Sequence, residues 1–178
     1  LSLRARMSVG SDAVKDGEIS RIEDLADPKW KGRICTRKGS HVYNRALLAS
    51  LIAHHGEEKA EAWAHSLVSN LARKPQGNDR AQAKAIWAGE CDIAIMNSYY
   101  FGKMKFNTKQ PEQQDWAKAL TLVFLNQADR GQHVNISAGG IVKTSDNKQD
   151  AVAFLEWLTS DDAQQIYASV NYEYPVNP

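Results

Sequence analysis

The sequence predicts an α/β fold with a largely parallel sheet. Short β-like runs alternate with helical stretches along the chain, which is the pattern of strand-helix-strand units. The run CDIAIM at residues 91–96 is almost wholly apolar, as expected of a strand buried on both faces. With 178 residues, 43% of them hydrophobic and 24% charged, the composition is that of an ordinary globular chain. The length suits one domain or two small lobes.

The strands are predicted from short β-like runs that are bounded by turn residues or helix ends. They are assigned, in order, to residues 4–9, 34–37, 91–96, 121–125 and 134–143. The helices are predicted from apolar residues at helical spacing and from end signals. Asn44 is a plausible N-cap and Gly56 a stop for one helix, Pro111 opens another, and Ser160 caps the last. The helices are assigned, in order, to residues 19–26, 44–55, 57–71, 79–88, 111–120, 150–158 and 161–170.

The charge balance argues against several classes of partner. The chain has 22 Lys and Arg against 21 Asp and Glu, a formal charge of +1. Proteins that coat nucleic acids usually carry a basic excess, so no nucleic-acid partner is predicted. No run reaches the roughly 18 to 20 apolar residues that span a bilayer, and a soluble chain is expected. No leader peptide is visible before Leu1, which suggests a mature protein or a piece of one.

The two cysteines leave two alternatives open. Cys35 and Cys91 lie in short apolar runs that are predicted to be neighbouring strands, and they lack the spacing of a zinc site. They either form one structural disulfide in an oxidising compartment or remain buried thiols.

Three tyrosines follow two of the predicted strands. Tyr43 follows the strand at 34–37, and Tyr99 and Tyr100 follow the strand at 91–96. Ligands of open α/β sheets bind beyond the carboxyl ends of the strands, so the three phenols are expected at one rim. Plain packing is the ordinary explanation of such tyrosines. The alternative is a site for Fe³⁺, because phenolate is a hard anionic oxygen donor and a bound cation displaces the phenol proton.

Several segments resemble the periplasmic ferric-ion-binding proteins of bacterial ABC iron transporters, the ferric-binding protein A family. The similar segments are LADPKWKGRIC, SHVYNRALLASLIAHHG, ARKPQGNDRAQAKAIWAGECDIAI, NSYYFGKM and NYEYPVNP. The pairing of HVYN with NSYY is the most specific of them. The resemblance implies that Tyr43, Tyr99 and Tyr100 are the iron ligands. It also implies that Arg4 holds a synergistic anion such as carbonate.

The resemblance further implies a periplasmic-binding-protein-like (type II) fold. Family members have two lobes around a cleft, so residues 1–125 are expected to form the ligand-binding lobe with the tyrosines at its rim. Residues 126–178 are expected to form the hinge crossover and the returning part of the other lobe, with most of the N-terminal lobe absent from the sequence. The implied function is delivery of ferric iron, in the periplasm, to an ABC transporter permease in the inner membrane. The protein is expected to be a monomer and not an enzyme.

Two other functions remain open from the residues. One is a binding protein of the same fold that takes an organic anion or a polyamine without metal. The other is a hydrolase or transferase that uses Cys35 or a histidine.

The remaining polar and aromatic candidates are predicted to be structural. His54 and His55 suit the C-terminal end of a helix, and His41 is expected in a solvated loop. Tyr172 and Tyr174 are expected to pack.

Overall fold

The computed structural model describes residues 2–176, and for residues 3–9 it describes the backbone alone. The strands are β1 (Ser2–Gly10), β2 (Ile34–Cys35), β3 (Ile93–Asn97), β4 (Thr121–Val123) and β5 (Val134–Ser137). The α-helices are α1 (Val42–His55), α2 (Glu57–Ser69), α3 (Asp79–Trp87), α4 (Ser98–Lys105), α5 (Glu112–Lys118), α6 (Lys148–Trp157) and α7 (Asp161–Ile166). Short 3₁₀ helices cover Ile22–Ala26 and Pro28–Trp30, and a π-helical turn covers Tyr167–Asn171.

The sheet is mixed, so the prediction of a largely parallel sheet is wrong. Its order is β2-β3-β1-β4, with β5 also paired to β1. The β2–β3 pair is parallel, whereas β1 is antiparallel to β3, β4 and β5. Strand direction depends on which strand lies beside which in the folded sheet, and the pattern of residues within one strand does not encode that.

Strand β1 pairs differently along its two halves. Its first half, from Ser2 to Ala5, lies against β5. Its second half, from Arg6 to Gly10, lies against β3, and the last residues also pair with β4. One continuous strand therefore joins the region around β5 to the sheet that carries β2 and β3.

Strand β3 lies at the centre of the core. Its side chains alternate between two apolar clusters, with Ile93 and Ile95 in one and Ala94 and Met96 in the other. Helices α1 and α2 contribute to the first cluster, and α3, α4 and α5 contribute to the second. All residues of β3 are buried, as predicted from its almost continuous apolar run.

Cys35 and Cys91 form a disulfide, which resolves the alternatives that their sequence positions left open. Their Cα atoms are 6.0 Å apart, within the usual range for such a bond. Cys35 is fully buried in β2, and Cys91 lies just before β3. Neither cysteine is a free thiol, so the alternative of an enzyme that uses Cys35 as nucleophile is excluded.

Helix α1 begins earlier than predicted, and Asn44 is not its N-cap. The helix starts at Val42, and the Nδ1 atom of His41 accepts a hydrogen bond from the Tyr43 backbone N–H at 3.2 Å. The expectation that His41 is merely solvated is therefore wrong. Asn44 instead donates to the Thr36 hydroxyl and to the Arg37 carbonyl, which binds the loop after β2 to the helix. Gly56 ends α1 with a φ of +83°, as predicted.

The predicted elements do not include α4, and β5 ends six residues earlier than the predicted strand at 134–143. The Tyr-Tyr-Phe-Gly stretch of α4 has modest helix propensity, and the helix is only two turns long. β5 ends at Ser137, before the Gly139-Gly140 pair, because glycine weakens a strand. The predicted Ser160 cap is present, since its side chain accepts from the Ala163 N–H.

Asn126 joins the chain after residue 125 to the start of the 3₁₀ helix at Ile22–Ala26. Its backbone N–H donates to the Ser20 carbonyl at 2.7 Å, and its side-chain oxygen accepts from the Ile22 N–H at 3.0 Å. Its side-chain amide donates to Glu23, which also receives a hydrogen bond from Arg130 and lies 2.7 Å from His55 Nε2. Burial alone would raise the pKa of Glu23, but these hydrogen bonds outweigh it and lower the pKa to about 2.

Glu23→Gln is expected to lower the free energy of unfolding at pH 7, because the hydrogen bonds to the carboxylate favour its charged form in the folded state. The loss is expected to be only about 1–2 kcal/mol, because solvent screens this partly exposed carboxylate. The folded-state pKa of about 2 lies below the ordinary 4.5, so the stabilisation is present above pH 4.5. It is lost as the pH falls towards 2. Urea unfolding at a series of pH values measures the difference between wild type and variant. Glu61→Gln, at an exposed Glu-His pair, serves as control. A difference that persists at pH 2 would contradict the assignment.

The region after residue 125 exposes many apolar side chains. None of the residues of α6 is buried, and Phe154 and Trp157 on that helix are 57% and 46% exposed. Ile136 in β5 and Val170 near the C-terminus are 69% and 63% exposed. The ring of Tyr172 stacks on Phe106 after α4, with ring centroids 5.6 Å apart, and so joins this region to the rest of the chain.

Candidate metal centre

The parallel pair β2–β3 places the three predicted tyrosines at one edge of the sheet. β2 leads through a short loop to Tyr43 in the first turn of α1, and β3 leads directly to Tyr99 and Tyr100 in the first turn of α4. Because the two strands are neighbours and run in the same direction, both helices begin at the same edge. The geometric part of the prediction is confirmed, since the structure brings the three phenols together.

Tyr99 contacts both of the other tyrosines. The hydroxyl oxygens of Tyr43 and Tyr99 are 3.2 Å apart, and the rings of Tyr99 and Tyr100 lie 4.2 Å apart between centroids. Tyr99 is 8% exposed, whereas Tyr43 and Tyr100 are partly exposed. The cluster is therefore buried at Tyr99 and open to solvent at the other two residues.

The surroundings of Tyr99 favour its protonated form when no cation is bound. Burial, followed by hydrogen bonds with Tyr100 and Tyr43, raises the pKa of Tyr99 above its ordinary value near 10. Each of these effects comes from crowding phenols together away from water. A highly charged cation would reverse them, because it stabilises phenolate directly.

A basic side chain faces each tyrosine ring. The Arg37 guanidinium carbon is 5.2 Å from the Tyr43 ring centroid, and that of Arg80 is 5.1 Å from the Tyr100 centroid. Lys103 Nζ is 5.2 Å from the Tyr99 centroid. Positive charge therefore lies close to each of the three rings.

Sequence reasoning missed these three cations. Lys103 follows Tyr99 by four residues on α4, and that helical spacing was a usable signal. Arg37 and Arg80 reach the rings from other elements, so only the folded structure brings them there.

The described side chains offer no rival site of the usual ligand types. In the part of the chain with described side chains, no group of three or more His, Cys, Asp or Glu could hold a metal ion. The phenol cluster is thus the candidate that the donor chemistry supports.

Comparison with known proteins places the chain in a family. Residues 16–178 match the family described as bacterial extracellular solute-binding protein. The chain belongs to that family. It is 49% identical to iron uptake protein A1 of Synechocystis sp. over 163 residues, covering 92% of this chain and 45% of that protein. It is 31% identical to the Fe(3+)-binding periplasmic protein of Serratia marcescens, covering 92% of this chain and 46% of that protein.

Solved structures of family members confirm the periplasmic-binding-protein-like fold. A Trichodesmium protein in complex with iron and citrate ligands superposes with a TM-score of 0.95 at 49% identity. That match covers 98% of this solute-binding chain and 55% of the Trichodesmium chain. The chain spans about half the length of the curated relatives that it matches.

The predicted anion residue of this solute-binding chain lies in the backbone-only part of the structure. In β1, Arg4 pairs with Asn135 of β5. Two residues later, Arg6 pairs with Asn97, the last residue of the antiparallel strand β3. The backbone of Arg4 therefore lies beyond the carboxyl end of β3, at the same edge as the tyrosines. Its side chain lies outside the described residues.

Of the other histidines in the solute-binding chain, one borders the phenols and two line a separate cavity. The His41 ring meets the Tyr43 ring edge-on, with centroids 4.6 Å apart, so this histidine borders the phenols. His54 and His133 line a separate cavity of about 100 Å³ beside Arg130.

None of the helices within residues 2–176 has the length and apolarity needed to cross a membrane.

Proposed function

We propose that the chain binds ferric iron through Tyr43, Tyr99 and Tyr100 and acts as the binding component of an ABC iron transporter in the periplasm. The observation that carries the proposal is the cluster of three phenols at the edge of the parallel pair, each faced by a cation. Relatives named for iron uptake and for Fe(3+) binding support the choice of cargo. Three phenolates supply three negative charges, which match a 3+ ion.

Proton release is the chemical step that this site must perform. Each phenol that binds the ion gives up its hydroxyl proton to solvent, and the oxygen keeps the electron pair that it donates to the metal. The basic residues Arg37, Arg80 and Lys103 lower the cost of that ionisation. A small anion, carbonate or citrate, held at Arg4 is proposed to complete the coordination and to limit access of water.

The proposed organisation follows the sequence prediction. Residues 1–125 form the ligand-binding lobe, and residues 126–178 form the hinge crossover and the returning part of a second lobe. The two pairing halves of β1 and the exposed apolar side chains after residue 125 support this division. Closure about the hinge is proposed to cover the ion, and opening to release it to a membrane permease. The protein is proposed to work as a monomer without nucleic acid.

Titration of the purified protein with ferric citrate tests the proposal. Phenolate-to-iron charge transfer is expected to give a visible absorption band that saturates at one ion per chain. Because binding releases protons, the apparent affinity is expected to rise with pH. A colourless titration, with calorimetric heat from metal-free citrate or a polyamine, would favour the binding protein without metal instead.

A further inference from the structure

Asp79 is a fully buried carboxylate at the first residue of α3. Its side chain is 0% exposed. Its Oδ2 atom accepts a hydrogen bond from the Asn97 backbone N–H at 2.8 Å. Its Oδ1 atom accepts from Arg37 Nη1 at 3.1 Å. One carboxylate therefore hydrogen-bonds both to the last residue of β3 and to Arg37, which lies two residues after β2.

The two described partners of Asp79 each lead directly to a tyrosine. Asn97 is the last residue of β3 and precedes α4, whose first turn holds Tyr99 and Tyr100. Arg37 follows β2, and its guanidinium lies over the Tyr43 ring. The Arg37 side chain is 12% exposed, so its position depends on the carboxylate rather than on solvent.

The neighbouring residue adds a second contact from the same turn. Arg80 follows Asp79 and places its guanidinium over the Tyr100 ring. The first two residues of α3 therefore contact both Arg37, which faces Tyr43, and the ring of Tyr100.

We propose that Asp79 is a positioning residue for the three phenols, because its buried carboxylate sets the spacing between the first turn of α1 and the first turn of α4. This inference rests on the proposed function, since spacing of the phenols matters only if they share a ligand. A metal site requires its donors at fixed mutual distances, and residues that orient the donors tune affinity.

A second arginine–carboxylate pair links β2 and β3 at their other ends and can serve as a control. Arg33 precedes β2 and Asp92 precedes β3, and Arg33 Nε lies 2.6 Å from Asp92 Oδ2. This pair also links β2 to β3 through a carboxylate and a guanidinium, but it lies at the end of the strands away from the tyrosines. Asp92→Asn therefore controls for the loss of a carboxylate–arginine pair.

The test is Asp79→Asn in the full chain, titrated with ferric ion in competition with citrate. Arg37 and the Asn97 backbone N–H both donate to Asp79, and an amide offers only one acceptor oxygen, so at least one of these two contacts is lost. The dissociation constant for iron is expected to rise roughly 10- to 100-fold, the usual effect of outer-shell changes. The charge-transfer band is also expected to shift, whereas Asp92→Asn leaves affinity and band unchanged.

The outcomes separate this inference from the proposed function. If wild type shows no band, the proposed function fails and the inference fails with it. If wild type shows the band and Asp79→Asn has the same affinity and the same band, only the inference fails. Should Asp79→Asn not fold, as judged by circular dichroism, Arg37→Lys takes its place. A shifted band in Arg37→Lys supports the inference, and an unchanged band and affinity overturn it.

Discussion

Replacing Tyr99 and Tyr100 together with Phe is expected to abolish the visible band that ferric citrate induces in the wild-type chain. The variant keeps both rings and their packing but removes two of the three phenol oxygens, leaving Tyr43 alone. Phe cannot donate an electron pair to the ion, so charge transfer from these positions is impossible. The loss of iron affinity is expected to exceed the roughly 100-fold that a change outside the ligand set costs.

Absorption spectroscopy during ferric citrate titration measures this effect, with citrate competition for affinity. The double variant Tyr172→Phe with Tyr174→Phe is the matched control, because it removes two phenol hydroxyls in the C-terminal segment. Tyr172 stacks on Phe106 and Tyr174 is 41% exposed, and neither residue contributes to the cluster. The control is expected to keep the band. A band of unchanged intensity together with unchanged iron affinity in the Tyr99–Tyr100 variant would remove these residues as ligands.

The removal of Tyr99 and Tyr100 hydroxyls also affects the apoprotein. The Tyr99 phenol is buried and hydrogen-bonded to Tyr43. Removing its hydroxyl costs that hydrogen bond, but it also removes a polar group from a buried position, and the two effects on stability oppose each other. The net change in folding stability is expected to stay within about 1–2 kcal/mol. Circular dichroism and urea unfolding therefore show a folded variant, which makes the loss of the band interpretable.

Replacing Cys35 and Cys91 together with Ala is expected to give the largest loss of stability. The disulfide closes a loop with a sequence separation of 56 residues. The loop-closure entropy of the unfolded chain then corresponds to about 4 kcal/mol at 25 °C. For a chain of this size the loss corresponds to a decrease in Tm of roughly 8–16 °C.

Thermal and urea unfolding of the oxidised protein and of the double variant measure that loss. Adding a reductant supplies the control, because it should lower the stability of wild type and leave the Cys-free variant unchanged. Equal stability of wild type with and without reductant would show that the bond contributes nothing. The disulfide also agrees with the proposed periplasmic location, since oxidising compartments allow such bonds.

The helices were predictable because their signals are local. The apolar residues at helical spacing in α1 and the glycine at its end lie within a few residues of the structure that they specify. The Ser160 cap of α7 is local in the same sense. By contrast, His41 replaced Asn44 as the cap of α1, because Asn44 is engaged by Thr36 and Arg37 from the loop after β2. A contact between two elements overrode the local preference.

In the candidate site, too, some residues were predictable from local signals and others depend on contacts between distant elements. The three tyrosines were predictable, since each follows a strand and the carboxyl ends of parallel neighbours share an edge. Arg80 and Asp79 were not, because they approach the site from α3, which begins far from the tyrosines in the sequence. Their contribution depends on where α3 packs against β3.

The sequence by itself determined the α/β class, the resemblance to ferric-binding proteins and the tyrosines on which the proposed function depends. These follow from composition, from local periodicity and from short motifs. Only the tertiary structure decided that β1 runs antiparallel to its neighbours, that Cys35 and Cys91 are joined, and that a buried carboxylate links the two strand ends. Each of these depends on residues distant in sequence meeting across the fold, and no local pattern of side chains records such a meeting.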